Sequence, residues 1–321
     1  MRPGDPGCGE TPLRRSSGPY RRLGRITARQ PSTARKEYPI VSETGKHIIL
    51  EVENGLAHIT LNRPTKMNAF TPESYAGLGA AVEIAGNDNS VDVICIAGAG
   101  DAFSTGGDLH MLRTALFPDG IEPARQLRNS KVDADITRAF IEGAHRAFTA
   151  LENSPKIVIA AVNGACQGGG LGTALCADFV IATDNASFRA PEGLVGIADP
   201  FIPVRLERRV GAGLARRMLF TGSSLDAATA HEVGLVDELV HPGDLQGAVE
   251  RLAEQIGKTS PLARHLYKKV LNANQPPFDC TVSYIANTSD YAREGIMAFI
   301  ERRDPDWNLG DQKIEYTQPR F

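Results

Sequence analysis

The chain contains no run of eighteen apolar residues, no Cys-x-x-Cys pair, no His-x-x-x-His spacing and no Gly-x-Ser-x-Gly elbow. Each absence removes a class of function. Nothing here reads as a membrane-spanning helix, as a metal centre or as an α/β-hydrolase nucleophile. An excess of charge of one sign is missing too: a formal net charge of −3 over 321 residues gives no basis for a nucleic-acid or membrane-surface partner. Gly98 and Gly100 follow a strand-like run, but the third glycine of a dinucleotide fingerprint falls on Phe103, so a nicotinamide or flavin cofactor is not expected. Of the five cysteines, Cys95, Cys166 and Cys176 lie inside apolar runs, where thiols behave as small hydrophobes. A reducing, cytoplasmic setting with no metal and no resident cofactor is the expectation.

What is present is an ordinary globular composition, 42% hydrophobic and 23% charged, enough to bury one large domain or a domain with an appendage. Residues 1–45 stand apart. They hold nine Lys/Arg against four acids, with Pro3, Pro6, Pro12, Pro19, Pro31 and Pro39, and they have too little apolar surface to offset the entropy of ordering. They read as a disordered basic tail. An organelle transit peptide is the alternative, and prolines this dense would interrupt its amphipathic helix.

From residue 46 the pattern is regular. Two apolar alternations, 47–53 and 56–61, flank an Asn54-Gly55 turn and predict a β-hairpin. Thr71 with Pro72 and Glu73 starts a helix to about Ala85, and a buried strand follows at 91–97. A second unit repeats the design, with a helix over 136–152, a strand over 157–162 and a helix from about Gly169 to Cys176; short strands are expected at 179–182 and 186–188. Such alternation predicts parallel pairing with ligand chemistry at the carboxyl ends of the strands. We therefore expect an α/β core over 46–209. Residues 210–321 read as a C-terminal helical region, with helices near 211–220, 226–233, 243–257, 260–272 and 281–302. The stretch from Leu112 to Val132, with Pro118, Gly120 and Pro123, is long for a connection and is either a lid or a plain surface excursion.

Two glycine-bearing turns carry the chemical signal. Phe103-Ser-Thr-Gly-Gly-Asp108 and Gly164-Ala-Cys-Gln-Gly-Gly-Gly-Leu-Gly172 each follow an apolar strand and open into a helical pattern. Glycine lets a ligand approach the backbone, and the first amides of the following helix have no partner within it. A triple glycine alone can be only a tight packing turn. Two such turns offering amides to one point make an oxyanion hole, where a single donor is worth about 3 to 4 kcal/mol of barrier.

Taken in order, Ile59-Thr-Leu-Asn-Arg-Pro-Thr-Lys-Met-Asn-Ala-Phe70, the two turns, Phe188-Arg-Ala-Pro-Glu192 and Glu294-Gly-Ile-Met-Ala-Phe-Ile-Glu-Arg-Arg303 resemble the crotonase superfamily, the enoyl-CoA hydratase/isomerase family, over roughly residues 47–307. The resemblance implies a crotonase-like spiral of ββα units whose C-terminal helical region mediates oligomerisation, as a homotrimer or hexamer. It implies an acyl-CoA thioester substrate whose carbonyl oxygen sits between two backbone amides, mapping here onto Thr105 and Gly169. Substrate contacts map onto Lys66 and Ala69, with Gly106 and Asp108 in the first turn and Phe299 and Arg302 placed toward the adenosine end.

The chain also departs from the family pattern. Hydratases carry a glutamate three residues after the central glycine of the second turn, and that position is Gly172. The other family glutamate is retained as Glu192. Holding and activating a water typically uses two carboxylates, whereas moving a double bond needs one group that takes a proton at C2 and returns it at C4. The expectation is therefore isomerase-like chemistry with Glu192 as general acid/base. Asp199, seven residues on, stands where some relatives carry a working aspartate, and it reads as a second acid/base, a nucleophile or a loop cap. Two rivals follow: a C–C bond hydrolase or lyase using Asp199, and a non-catalytic acyl-CoA binder. His110 and His145 lie nearest the expected pocket and read as helix-surface residues.

Overall fold

An Asn54-Gly55 turn with φ of 52° and 83° joins β2 (Ile48–Glu53) to β3 (Leu56–Leu61) as the expected antiparallel hairpin. The computed structural model describes residues 36–38, 47–117, 133–273, 284 and 287–306. β1 (Lys36–Tyr38) pairs antiparallel with β2, so the boundary of the expected tail at residue 45 is corrected: an edge strand forms inside it. Residues 1–35 and 39–46 of that tail lie outside the described residues.

After the hairpin the chain repeats one device three times, two strands and then a helix. β4 (Val93–Gly98) and β5 (Ala102–Ser104) lead into α2 (Leu109–Leu116); β6 (Ile157–Val162) and β7 (Ala165–Gln167) lead into α4 (Gly169–Cys176); β8 (Phe179–Thr183) and β9 (Ser187–Arg189) lead, through a 3₁₀ turn at Glu192–Val195, into α5 (Ile202–Val210). The long strands build a seven-stranded sheet in the order β1-β2-β3-β4-β6-β8-β11, parallel from β3 onward. The short ones build a four-stranded sheet, β10-β9-β7-β5. In that small sheet β5, β7 and β9 run parallel, so their carboxyl ends present residues 105–108, 168–169 and 190–192 along one edge. The expected ββα spiral is the observed architecture.

α1 (Pro72–Asn87) starts at a capping box in which Thr71 and Ser74 satisfy each other's amides, a feature typically worth about 1 kcal/mol. It packs beside α3 (Ala134–Asn153), and the main core lies between these helices, α4 and the large sheet, with Phe103, Phe148, Phe188, Leu78 and Ile96 fully buried. α8 (Leu245–Gly257) covers the opposite sheet face through Ala248, Val249 and Ile256. Beyond residue 210 the described helices are α6 (Ala212–Thr221), α7 (Ala227–Glu232), α8, α9 (Pro261–Asn272) and α10 (Asp290–Glu301). That region also supplies β10 (Ser224–Asp226) and β11 (Glu238–Val240), which pair with β9 and β8.

Three departures bear on the site. α2 runs through Leu116, so the irregular stretch expected from Leu112 begins instead after the helix; its residues 118–132 are outside those described. α5 is a helix that the sequence reading does not include, and Pro203 fits within it because it stands at an early helical position that needs no amide. Arg205 on α5 makes a bidentate pair with Glu152 of α3 at 2.7 and 2.9 Å and covers the Phe201 ring. α10 lies on α2 through Ile296 and Met297 against Leu112, Leu116 and Phe117. The part of the expected final helix at 281–283 is outside the described residues.

Candidate active site

Residues 63–69 wrap over the first glycine turn, held by side-chain bonds. Asn68 reaches left-handed backbone (φ 55°), donates to the carbonyls of Ala99 and Ala102 at 2.9 and 2.8 Å and accepts from the Arg63 amide. Arg63 donates to the Ala69 carbonyl and to Asp108 at 2.9 Å. Asp108 also accepts from the amides of His110 and Met111, capping α2. Burial alone would raise the Asp108 carboxyl; the Arg63 hydrogen bond and the α2 amides overcome it and hold the group below its ordinary value. Its carboxylate thus ties the wrapping segment to the turn.

The two turns touch. A Cβ at position 106, where φ is +85°, would stand 2.9 Å from the Gln167 carbonyl oxygen and 3.0 Å from the Gly169 nitrogen, so only glycine allows this approach. Gly169 opens α4 behind Gly168, with no side-chain cap on its first amides. The first turn requires a correction. The Thr105 amide donates to the Met67 carbonyl at 3.1 Å, so it is not a free donor. A bridge explains what is: the Phe70 amide donates to the Gly106 carbonyl at 2.7 Å and the Asp108 amide to the Phe70 carbonyl at 2.8 Å. Extended backbone alternates direction, which turns the Gly107 amide away from Phe70. Gly107 lines the cavity, and its amide has no partner among the described residues.

That cavity, about 530 Å³, is walled by Lys66, Met67, Ala69, Thr105, Gly107, Asp108, Gly168 and Gly169 on one side and by Tyr75, Phe140, Ile141 and Ala144 on another. Glu192, Asp199, Val195, Ile197 and Phe299 complete it. The structure therefore gathers Glu192, Asp199, Thr105, Gly169, Lys66, Ala69, Asp108 and Phe299. Gly106 is buried behind the turn, and Arg302 stands exposed at the end of α10, outside the cavity lining. His110 lines the rim, while His145 lies elsewhere on α3.

Glu192 lies directly below the second turn: a Cβ on Gly168 would meet its Oε1 at 2.8 Å. Desolvation first, and then the nearby Asp199 charge, push its carboxyl up to about 8. Asp199 is raised as well by burial, against the lowering effect of the Phe201 and Ile202 amides that its Oδ1 accepts at 2.7 and 3.4 Å. It therefore caps α5 and faces the cavity at once. No carboxylate occupies the second-turn position: a Cβ at Gly172 would stand 2.9 Å from the Phe148 ring. Among the described residues no group of three His, Cys, Asp or Glu is arranged to hold a metal, and no helix is long and apolar enough to cross a membrane. Burial pushes the thiols of Cys95, Cys166 and Cys176 up.

Two cavity residues were not legible as site residues in the sequence, Gly107 and Tyr75. Only a non-local bridge orients the Gly107 amide. For Tyr75 a signal existed: it is the one phenol in the buried stripe Tyr75, Leu78, Val82, Ala85 of α1, and a buried phenol needs a partner.

Stacked ββα units with a cavity walled by their glycine turns define a class of α/β protein with its site at the ends of the short strands. The family model described as Enoyl-CoA hydratase/isomerase matches residues 51–310, and the chain belongs to that family. It is 34% identical to a crotonyl-CoA hydratase of Syntrophomonas wolfei over 80% of this chain and 96% of that protein. An enoyl-CoA hydratase/isomerase structure from Mycobacterium paratuberculosis has the same fold, with TM-score 0.68 and 24% identity over 78% of this chain and 98% of that one. A monofunctional enoyl CoA isomerase from M. smegmatis superposes with TM-score 0.58 and 29% identity, covering 72% of this chain and 94% of the other.

Proposed function

We propose that the chain binds an acyl-CoA thioester, holds its carbonyl oxygen between the Gly107 and Gly169 amides, and migrates a double bond in preference to adding water. Ionised Glu192 takes the proton from C2, the C–H electron pair becomes the enolate, and the negative charge collects on the thioester oxygen. Protonated Glu192 then returns the proton at C4, leaving the double bond between C2 and C3. The observation that carries this reading is the single carboxyl below the second turn, raised to about 8 opposite a Gly172 position closed by Phe148. A general base poised near the working pH is the most effective. Lys66, Ala69 and Phe299 line the way in and are assigned to the CoA portion.

The test is Glu192→Gln in the full chain, expected to lower turnover by about 10² to 10⁴ with CoA-thioester binding retained. Unchanged turnover would remove Glu192 from the mechanism. A second reading has one specific observation behind it: Asp199 also faces the cavity with a raised carboxyl, which suits C–C bond hydrolysis or cleavage of a cyclic acyl group. A mass-spectrometric screen over a panel of acyl-CoAs separates the two by product mass, since isomerisation leaves mass unchanged. A cytoplasmic homo-oligomer built on threefold symmetry is part of the proposal. Supporting it, Leu262, Tyr267, Val270 and Leu271 on α9 are 67 to 73% exposed, an apolar face of the kind buried between subunits. Sedimentation should give a multiple of three 34.5 kDa chains; a monomer would contradict it.

A further inference from the structure

The Tyr75 hydroxyl is the one polar tip of the aromatic wall, and it points at the glycine turn. A Cβ on Gly169 would stand 2.0 Å from it, so the oxygen lies against the Cα of the residue whose amide opens α4. Three rings clamp it: Phe70 stacks on Tyr75 at 4.2 Å and 8°, while Phe140 and Phe148 meet it edge-on at 5.3 and 5.8 Å. Tyr75 is only 2% exposed yet lines the cavity, and its hydroxyl makes no hydrogen bond with the described residues. The hydroxyl opens on the cavity instead of being sealed in the core, so its donor can reach a ligand that enters.

We propose that Tyr75 acts as a catalytic residue, its O–H donating a third hydrogen bond to the thioester oxygen as that oxygen becomes anionic. The group is a donor and not a base. Burial first, then the Asp199 and Glu192 charges, hold the phenol well above its ordinary value, so it stays protonated throughout the working pH range. No bond to hydrogen breaks at Tyr75; the proton traffic remains with Glu192. A clamped donor requires no reorganisation when charge develops, the condition under which such donors contribute most to rate. The chain thus meets the vacancy at Gly172 with an aromatic cluster that fills the volume and delivers one hydroxyl from α1. This role rests on the acyl-CoA reading above.

The test compares full-length wild type with Tyr75→Phe, which keeps all three ring contacts. Turnover is measured on the acyl-CoA the wild type uses best, and bound acetoacetyl-CoA is titrated through the near-ultraviolet absorbance of its enolate. The expected result is a kcat lower by about 10² to 10³ with KM nearly unchanged, and an enolate that forms roughly two pH units higher in the variant. Wild-type kcat and a wild-type enolate titration in the variant would overturn the role of Tyr75 alone. Wild type that leaves acetoacetyl-CoA unperturbed and turns over no acyl-CoA would overturn the underlying acyl-CoA reading, and this role with it. Affinity for a saturated acyl-CoA, which forms no enolate, reports an intact cavity. Its loss in Tyr75→Phe would count against the proposal, because the hydroxyl would then be supporting the cavity wall and not the reacting oxygen.

Discussion

Glu192 and Asp199 share a cavity, and their charges oppose each other. The Glu192 carboxyl is pushed up to about 8 by burial and then by Asp199, so removing the Asp199 charge lowers it. As a base, Glu192 works when ionised, and kcat/KM rises with pH through its pKa. Wild type is therefore expected to show an ascending limb near pH 8 that belongs to the coupled pair. In Asp199→Asn, whose remaining oxygen can still accept the Phe201 amide, the limb should move toward acid. A pH profile of kcat/KM checks this; a limb that stays or moves toward alkali would uncouple the two carboxyls. At this scale the sequence was informative about residue type and less so about atoms. Glycine turns and the acid after Pro191 are local patterns, but whether the Thr105 or the Gly107 amide faces the ligand is decided by the bridge to Phe70, thirty-odd residues earlier.

At the scale of elements, α4 and α1 decide what the site cannot contain. Every residue of α4 is buried, and Gly172 meets the Phe148 ring of α3 with no room for a Cβ. Restoring the family glutamate by Gly172→Glu should therefore not restore hydration. It should instead destabilise the fold by about 1 to 3 kcal/mol through overpacking, measured as a lower midpoint in denaturant at unchanged slope. A variant as stable as wild type with increased hydratase activity would contradict the packing argument. The strong elements were readable because their signals are local, as in the Thr71-Pro72 start of α1 and the apolar run of β6. α5 was not, since Pro200 and Pro203 crowd its start and its N-cap residue, Phe201, carries no capping side chain. β10 and β11 were not either, because three-residue strands exist through distant partners, here β9 and β8.

For the molecule as a whole, the stacked ββα units bring three strand ends to one edge, and the helices laid over them wall a cavity of about 530 Å³. Chain order alone implied that arrangement, through strand–helix alternation and right-handed parallel connection. The balance between isomerisation and hydration was legible only as a missing glutamate, and the filled space behind Gly172 gives that absence its physical reason. Family relatives include both a hydratase and an isomerase by description, so the reaction must be measured on this chain. The decisive measurement is the turnover of purified full-length protein on matched 3-enoyl-CoA and trans-2-enoyl-CoA thioesters under identical conditions. Double-bond migration is expected to be the faster reaction. Water addition to the 2-enoyl thioester outpacing migration would contradict it.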